Sequence, residues 1–84
     1  MTNGELSFKD GSSIRGDYRI TQLGPGLKSA TFITTDFSNL FVKKEPDLLK
    51  SSSGAVVATG LVMSNYRMTG SSQTAIFEYI DRTS

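Results

Sequence analysis

An alternation of apolar and polar residues near the start of the chain is the feature that most limits its fold. Between residues 5 and 21 the large apolar side chains fall on alternate positions within two runs, at Leu6, Phe8, Ile14, Tyr18 and Ile20. A period of two places successive side chains on opposite faces of a β-strand, so one face packs inward while the other meets water. The two runs predict a pair of antiparallel strands joined by a turn.

The turn between these strands falls at residues 10–12, which read Asp-Gly-Ser. We predict a three-residue loop with a left-handed residue at position 11 or 12. This loop is expected to set Phe8 opposite Ile14 and Leu6 opposite Gly16. Register matters here because a slip by one residue would move a whole apolar set to the wrong face.

The middle of the chain contains the clearest breaks. Residues 23–27 (Leu-Gly-Pro-Gly-Leu) predict a turn, since glycine and proline at adjacent positions end both strands and helices. Residues 29–35 predict a strand that is covered on both faces or lies at an interface. Residues 36–44 predict either a turn into a strand or a short capped helix, of which we prefer the strand. Residues 46–50 predict a single helical turn with proline at its first position, followed by a flexible loop over residues 51–54.

The last third of the chain predicts a second hairpin. Residues 55–63 are apolar on both faces, which is typical of a central strand. Residues 69–73 then turn the chain, and residues 74–80 return. We therefore expect residues 1–84 to form a single, mainly β domain. Its predicted architecture is a small antiparallel β-barrel or β-roll of five to six short strands with one short helical turn.

The chain contains no histidine and no cysteine. Histidine is the side chain that titrates near neutral pH, and cysteine is the strongest nucleophile at that pH and a common soft metal ligand. Their absence excludes Ser-His and Cys-His dyads, zinc clusters and disulfides. We expect no enzymatic activity, no metal and no cofactor.

The tripeptide Arg15-Gly16-Asp17 also occurs in integrin ligands, where it lies on an exposed loop. Here it falls in the middle of a predicted strand, with Gly16 directed toward the core. A short motif needs the matching structural context to carry function. We therefore interpret this tripeptide as part of the fold.

A surplus of apolar residues indicates a protein interface. Two paired strands that are apolar on both faces have more apolar surface than one small sheet can cover, and such a surplus often marks a binding surface. Open sheet edges offer a second route to a partner, by strand addition. The predicted interface comprises Phe32, Ile33, Val57, Leu61, Met63, Tyr66, Phe77 and Tyr79.

These features predict a non-catalytic interaction protein that self-assembles or docks on a larger protein. Small domains without disulfides or metals often gain stability by association. By analogy of size and composition, the chain also resembles viral or phage accessory proteins and virion components. The residues alone do not separate an assembly component from an inhibitor of another protein.

Single-stranded nucleic-acid binding is the alternative prediction. Small β-barrels bind single strands with a basic groove and stacked aromatic rings. The candidate cations are Arg15, Arg19, Lys43, Lys44 and Arg67. A formal net charge of +1 makes this alternative the weaker one.

Neither end nor middle of the chain predicts membrane insertion or export. The longest apolar run, residues 55–63, is interrupted by Thr59 and Gly60 and is far shorter than the ~20 residues that cross a bilayer. The first five residues lack the basic and apolar regions of a signal peptide. We expect a cytoplasmic protein, which for a viral chain means the host cytoplasm or the virion.

Overall fold

The computed structural model describes residues 2–35 and 45–80, and within these ranges it contains seven β-strands and no helix. The strands form one antiparallel sheet in the order β5-β4-β1-β2-β3-β7-β6. The prediction of a mainly β, antiparallel fold is confirmed. The strands are β1 (Thr2–Phe8), β2 (Ser13–Gly24), β3 (Leu27–Thr34), β4 (Pro46–Ser51), β5 (Val56–Thr59), β6 (Val62–Thr69) and β7 (Ser72–Ile80).

The sheet curls into a half-barrel around a single apolar core. Strands β5 and β6 lie at opposite ends of the strand order, yet only Gly60 and Leu61 separate them in the chain. So short a link brings the two edges of the sheet together at one corner, where Gly60 has a φ of 64°. The core residues come from the inner face of the curl: Leu6, Phe8, Ile14, Tyr18, Ala30, Phe32, Leu49, Ala58, Leu61, Ala75, Phe77 and Tyr79.

Two glycines face each other where β1 crosses the crowded interior. Gly4 lies directly opposite Gly16 in the pairing of β1 with β2. A Cβ atom on Gly4 would lie 2.5 Å from Cδ1 of Tyr18 and 2.7 Å from the backbone oxygen of Lys50. The absence of a side chain at this position lets the tyrosine ring pack against the strand.

The β1–β2 loop confirms one prediction and corrects another. Gly11 has a φ of 92°, and the Phe8 N–H donates to the Ser12 oxygen at 2.8 Å, so the loop has three residues and a left-handed glycine as expected, but it comprises residues 9–11 instead of 10–12. The predicted pairing is wrong, because Leu6 lies opposite Ile14. Phe8 is already bonded to Ser12, and this brings Leu6 level with Ile14. Both stay on the inner face, since the register differs from the prediction by two residues.

The two other predicted turns are confirmed. Pro25 and Gly26 connect β2 to β3, and Gly26 has a φ of 72°. Proline followed by a glycine with positive φ is typical of a type II turn. Strand β6 turns into β7 through Gly70 and Ser71, with Thr69 opposite Ser72.

The predicted helical turn at residues 46–50 is wrong, because this segment is strand β4. It pairs with β1 on one side and β5 on the other, and Leu49 is fully buried between Leu6 and Ala58. Pairing on both sides outweighs the local preference of five residues for a helical turn. Pro46 is the first residue of the strand, where its missing N–H is tolerated.

The expected central strand over residues 55–63 is also wrong. Gly60 divides this segment into β5 and the start of β6, and both strands lie at edges of the sheet. This division and β4 together raise the number of strands from the five to six predicted to seven. The choice between strand and helix at residues 36–44 lies outside the described residues.

Candidate functional site

Most of the predicted interface residues lie in the core or at its rim. Phe32, Leu61, Phe77 and Tyr79 are buried, and Val57, Met63 and Tyr66 pack partly buried against them. Ile33 is half-buried on the outer face of β3. The interface through these residues stays a prediction. The aliphatic side chains that are most exposed lie elsewhere.

Three exposed aliphatic side chains lie close together on the outer face at one end of the sheet. They are Leu27, Val62 and Ile80, which are 37%, 67% and 65% exposed, and we call them the aliphatic patch. Leu27 is directly opposite Ile80, and all three line one open groove of about 360 Å³. Three adjacent strands thus expose these apolar side chains around one groove, whose lining also includes Ser64 and the exposed Glu78.

Period-two patterning explains why these side chains point outward. Phe77 and Tyr79 are buried on the inner face of β7, so Glu78 and Ile80 must point to the outer face. Ile80 thus stands at a position where an alternating strand usually carries a polar residue. That mismatch is a signal in the sequence that could have identified Ile80. Val62 carried no comparable signal, because its orientation depends on the division of the strand at Gly60.

Strand β6 borders the aliphatic patch and forms the long open edge of the sheet. Among the described residues it pairs only with β7, on one side. At the other edge, β5 has only four residues, and short edge strands are a common protection against unwanted pairing. Of the two edges, β6 therefore offers the longer backbone surface.

The hydrogen bonds of β6 fix its position against β7. The Tyr66 hydroxyl donates to Oε1 of the fully buried Gln73 at 2.9 Å, and the Ser64 hydroxyl donates to the Ile76 oxygen at 3.1 Å. A bulge between Met63 and Asn65 inserts one extra residue in β6. The strand is thus bonded along the edge that faces β7. Along its opposite edge it pairs with no other strand in the described part of the chain.

The structure separates the basic residues that were candidates for nucleic-acid binding. Arg15 and Arg19 lie on β2, Arg67 lies on β6, and β3 and β7 lie between them. All three arginines are exposed. Lys43 and Lys44 fall outside the described residues.

The surroundings of these arginines do not form the groove that was expected. Glu5 lies opposite Arg15, with 3.8 Å between its Oε2 and Nε of the arginine, and Asp17 lies between Arg15 and Arg19 along β2. Stacking of bases requires exposed aromatic rings. Every aromatic residue in the described ranges is buried or half-buried. Nucleic-acid binding stays a prediction that gains no support from this arrangement.

A second, polar depression lies where β1, β2 and β4 adjoin. Its volume is about 540 Å³, and its charged lining consists of Glu5, Arg15, Asp17 and Lys50. Acidic and basic side chains alternate across it, so it carries no single sign of charge. Within residues 2–35 and 45–80, no group of three or more acidic side chains is placed to hold a metal ion.

Comparison with protein families, with curated proteins and with solved structures finds no match to this chain. In the described parts of the chain, no helix is long and apolar enough to cross a membrane.

Proposed function

We propose that this chain is a non-catalytic protein-interaction module that docks on a larger protein or on a second copy of itself. The observation that supports this most strongly is the aliphatic patch. Isolated exposed aliphatic residues are common on protein surfaces, whereas grouped ones around a groove are typical of binding sites. The patch also adjoins the open edge of β6, so a partner could contact side chains and backbone together.

The energy available from the patch is enough to matter for binding. Complete burial of a valine or isoleucine side chain contributes about 1.5–3 kcal/mol. Val62 and Ile80 are each about two-thirds exposed, so a partner that covers them would gain roughly 1–2 kcal/mol from each. Loss of both contributions would weaken association by about thirtyfold or more.

The test compares the unchanged protein with a variant that carries Val62→Thr and Ile80→Thr. Threonine keeps the β-branched shape that strands favour but has a hydroxyl in place of one methyl group of valine or of the ethyl group of isoleucine. Val56→Thr is the matched control, because Val56 is 55% exposed on the other edge strand, β5, and lies outside the groove. Light scattering over a range of concentrations measures self-association, and pulldown with quantified stoichiometry measures binding of other proteins.

The expected result is an association that the double variant weakens and Val56→Thr leaves unchanged. Circular dichroism of each variant checks that the sheet is retained. A protein that stays monomeric and captures no stoichiometric partner contradicts the proposal. Equal binding by the unchanged protein and the folded double variant contradicts it as well.

A further inference from the structure

The outer edge of β6 carries a side chain in the place that a neighbouring strand would take. The backbone N–H of Tyr66 donates to the side-chain oxygen Oδ1 of Asn65 at 2.9 Å. Asn65 is exposed. An amide oxygen is the same kind of acceptor as the backbone carbonyl of an adjacent strand. The bond therefore occupies an edge donor with a group that an incoming carbonyl can replace.

The hairpin geometry shows which backbone groups face this edge. In an antiparallel pair, opposed residues alternate between those that exchange hydrogen bonds and those whose backbone groups point outward. Thr69 and Ser72 close the two-residue turn as a hydrogen-bonded pair. Arg67, two residues earlier, likewise directs its backbone N–H and C=O groups toward β7. Met68 and Tyr66 consequently direct their N–H and C=O groups away from β7, which agrees with the bond from Tyr66 to Asn65.

Charge along β6 favours a partner that is not a second copy of this strand. Arg67 is exposed on the outer face, and no described carboxylate pairs with it. It is also the only charged residue of β6, and β5 has none. Pairing of two β6 strands would bring two arginines to one seam without an acid. An acidic side chain from a different protein would complement this cation.

The existing neighbour of β6 indicates the spacing that a partner needs. On the outer face of β7, Thr74 lies opposite Arg67 and Glu78 lies opposite Val62. Val62 and Arg67 are five positions apart in β6, whereas the residues opposite them in β7 are four positions apart. The bulge in β6 accounts for the difference, because it adds one residue to that strand. A regular antiparallel strand on the other side would likewise meet Arg67 and Val62 with residues four positions apart.

From these observations we propose that β6 binds an extended segment of another protein by strand addition. The segment runs antiparallel to β6 and carries an acidic residue opposite Arg67 and an aliphatic residue four positions later, beside Val62 and the aliphatic patch. Backbone hydrogen bonds to Tyr66 and Met68 supply the register, and the two side chains supply the selectivity. This inference rests on the proposed function, since it names the partner that the module takes.

Fluorescence anisotropy with labelled peptides of the length of β6 tests the inference on the full chain. The probe peptide carries glutamate at one position, isoleucine four positions later and threonine elsewhere. Replacement of its glutamate by lysine is expected to lower affinity by up to about fivefold, the upper end of the range for an exposed ion pair. The Arg67→Glu variant is expected to reverse this preference. Arg19→Glu, on the outer face of the interior strand β2, is the control that retains it.

Two further measurements separate strand addition from simple apolar contact. N-methylation of the peptide amides that face β6 should weaken binding about tenfold or more, whereas methylation of the alternate amides should have little effect. The Asn65→Ala variant removes the competing acceptor, so binding should tighten by roughly twofold to tenfold.

Absence of peptide binding overturns the inference, and so does equal sensitivity to methylation at both sets of amides. A preference for glutamate that survives Arg67→Glu overturns it too. These outcomes are distinct from failure of the proposed function. If the aliphatic patch supports association while no peptide binds along β6, the interaction module stands and only the strand addition is wrong.

Discussion

Gly16 occupies a position in β2 where the structure leaves no room for a side chain. A Cβ atom there would lie 2.9 Å from Cβ of Thr34 and 3.0 Å from Cζ of Phe32, and closer still to the backbone oxygen of Ile33. Gly16 does not have a positive φ, so the restriction is steric. We predict that Gly16→Ala is strongly destabilising.

The size of the effect follows from which atoms must move. Overpacking of a filled interior costs about 1–3 kcal/mol, and the upper end applies here because the closest atom belongs to the backbone of β3. Alanine recovers roughly 0.4–1 kcal/mol by restricting the unfolded chain. A net loss of about 2 kcal/mol lowers Tm by roughly 8–16 °C in a domain of this length.

Gly24→Ala is the matched control for the same change of residue. A Cβ atom on Gly24 meets nothing within 4 Å, and its φ is not positive. This variant should therefore be neutral or gain roughly 0.4–1 kcal/mol. Urea unfolding followed by circular dichroism gives both free energies of unfolding, with the slope as a check on two-state behaviour. Equal stability of the two variants would refute the packing argument at Gly16.

Substitutions at three other positions test separate parts of the fold by the same urea titration. Tyr66→Phe should cost about 1–3 kcal/mol because it leaves the buried Gln73 without its hydroxyl partner, and an unchanged midpoint would contradict that bond. Gly54→Ala should cost roughly 1–2 kcal/mol since Gly54 has a φ of 91° with open space around it, and Gly54→Asn should cost less. Arg15→Ala should change stability by less than about 0.5 kcal/mol, because its pair with Glu5 is long and exposed; a larger loss would show a role for Arg15 that the structure does not explain.

The residue pattern predicted those strands and turns whose boundaries depend on residues close together in the chain. The alternation from Leu6 to Ile20 indicated β1 and β2, and the glycines at positions 11 and 26 marked their turns. The interpretation of Arg15-Gly16-Asp17 as part of a strand agrees with its place inside β2. In each case the sequence signal and the structure depend on the same few neighbouring residues.

The candidate site could be predicted only in outline. A surplus of apolar residues and an open edge were both expected, but Phe32 and Phe77 were placed at an interface and are fully buried. Apolar character does not tell a core residue from a binding residue, because both are strand formers with large side chains. The order of the strands was needed to show that β6 is an edge and that Val62 of β6 and Ile80 of β7 lie on the same outer face of the sheet.

Composition and neighbouring residues were enough to predict the β class and the β1–β2 and β2–β3 turns, and they exclude histidine and cysteine chemistry. These properties depend on composition and on residues that are close together in the chain. The three-dimensional arrangement of the strands was needed to show that residues 46–50 form a strand, that Gly60 divides an apolar run into two edge strands, and which aliphatic residues remain exposed. Those outcomes depend on pairing between distant segments, whose energy exceeds the local preferences of the residues that pair.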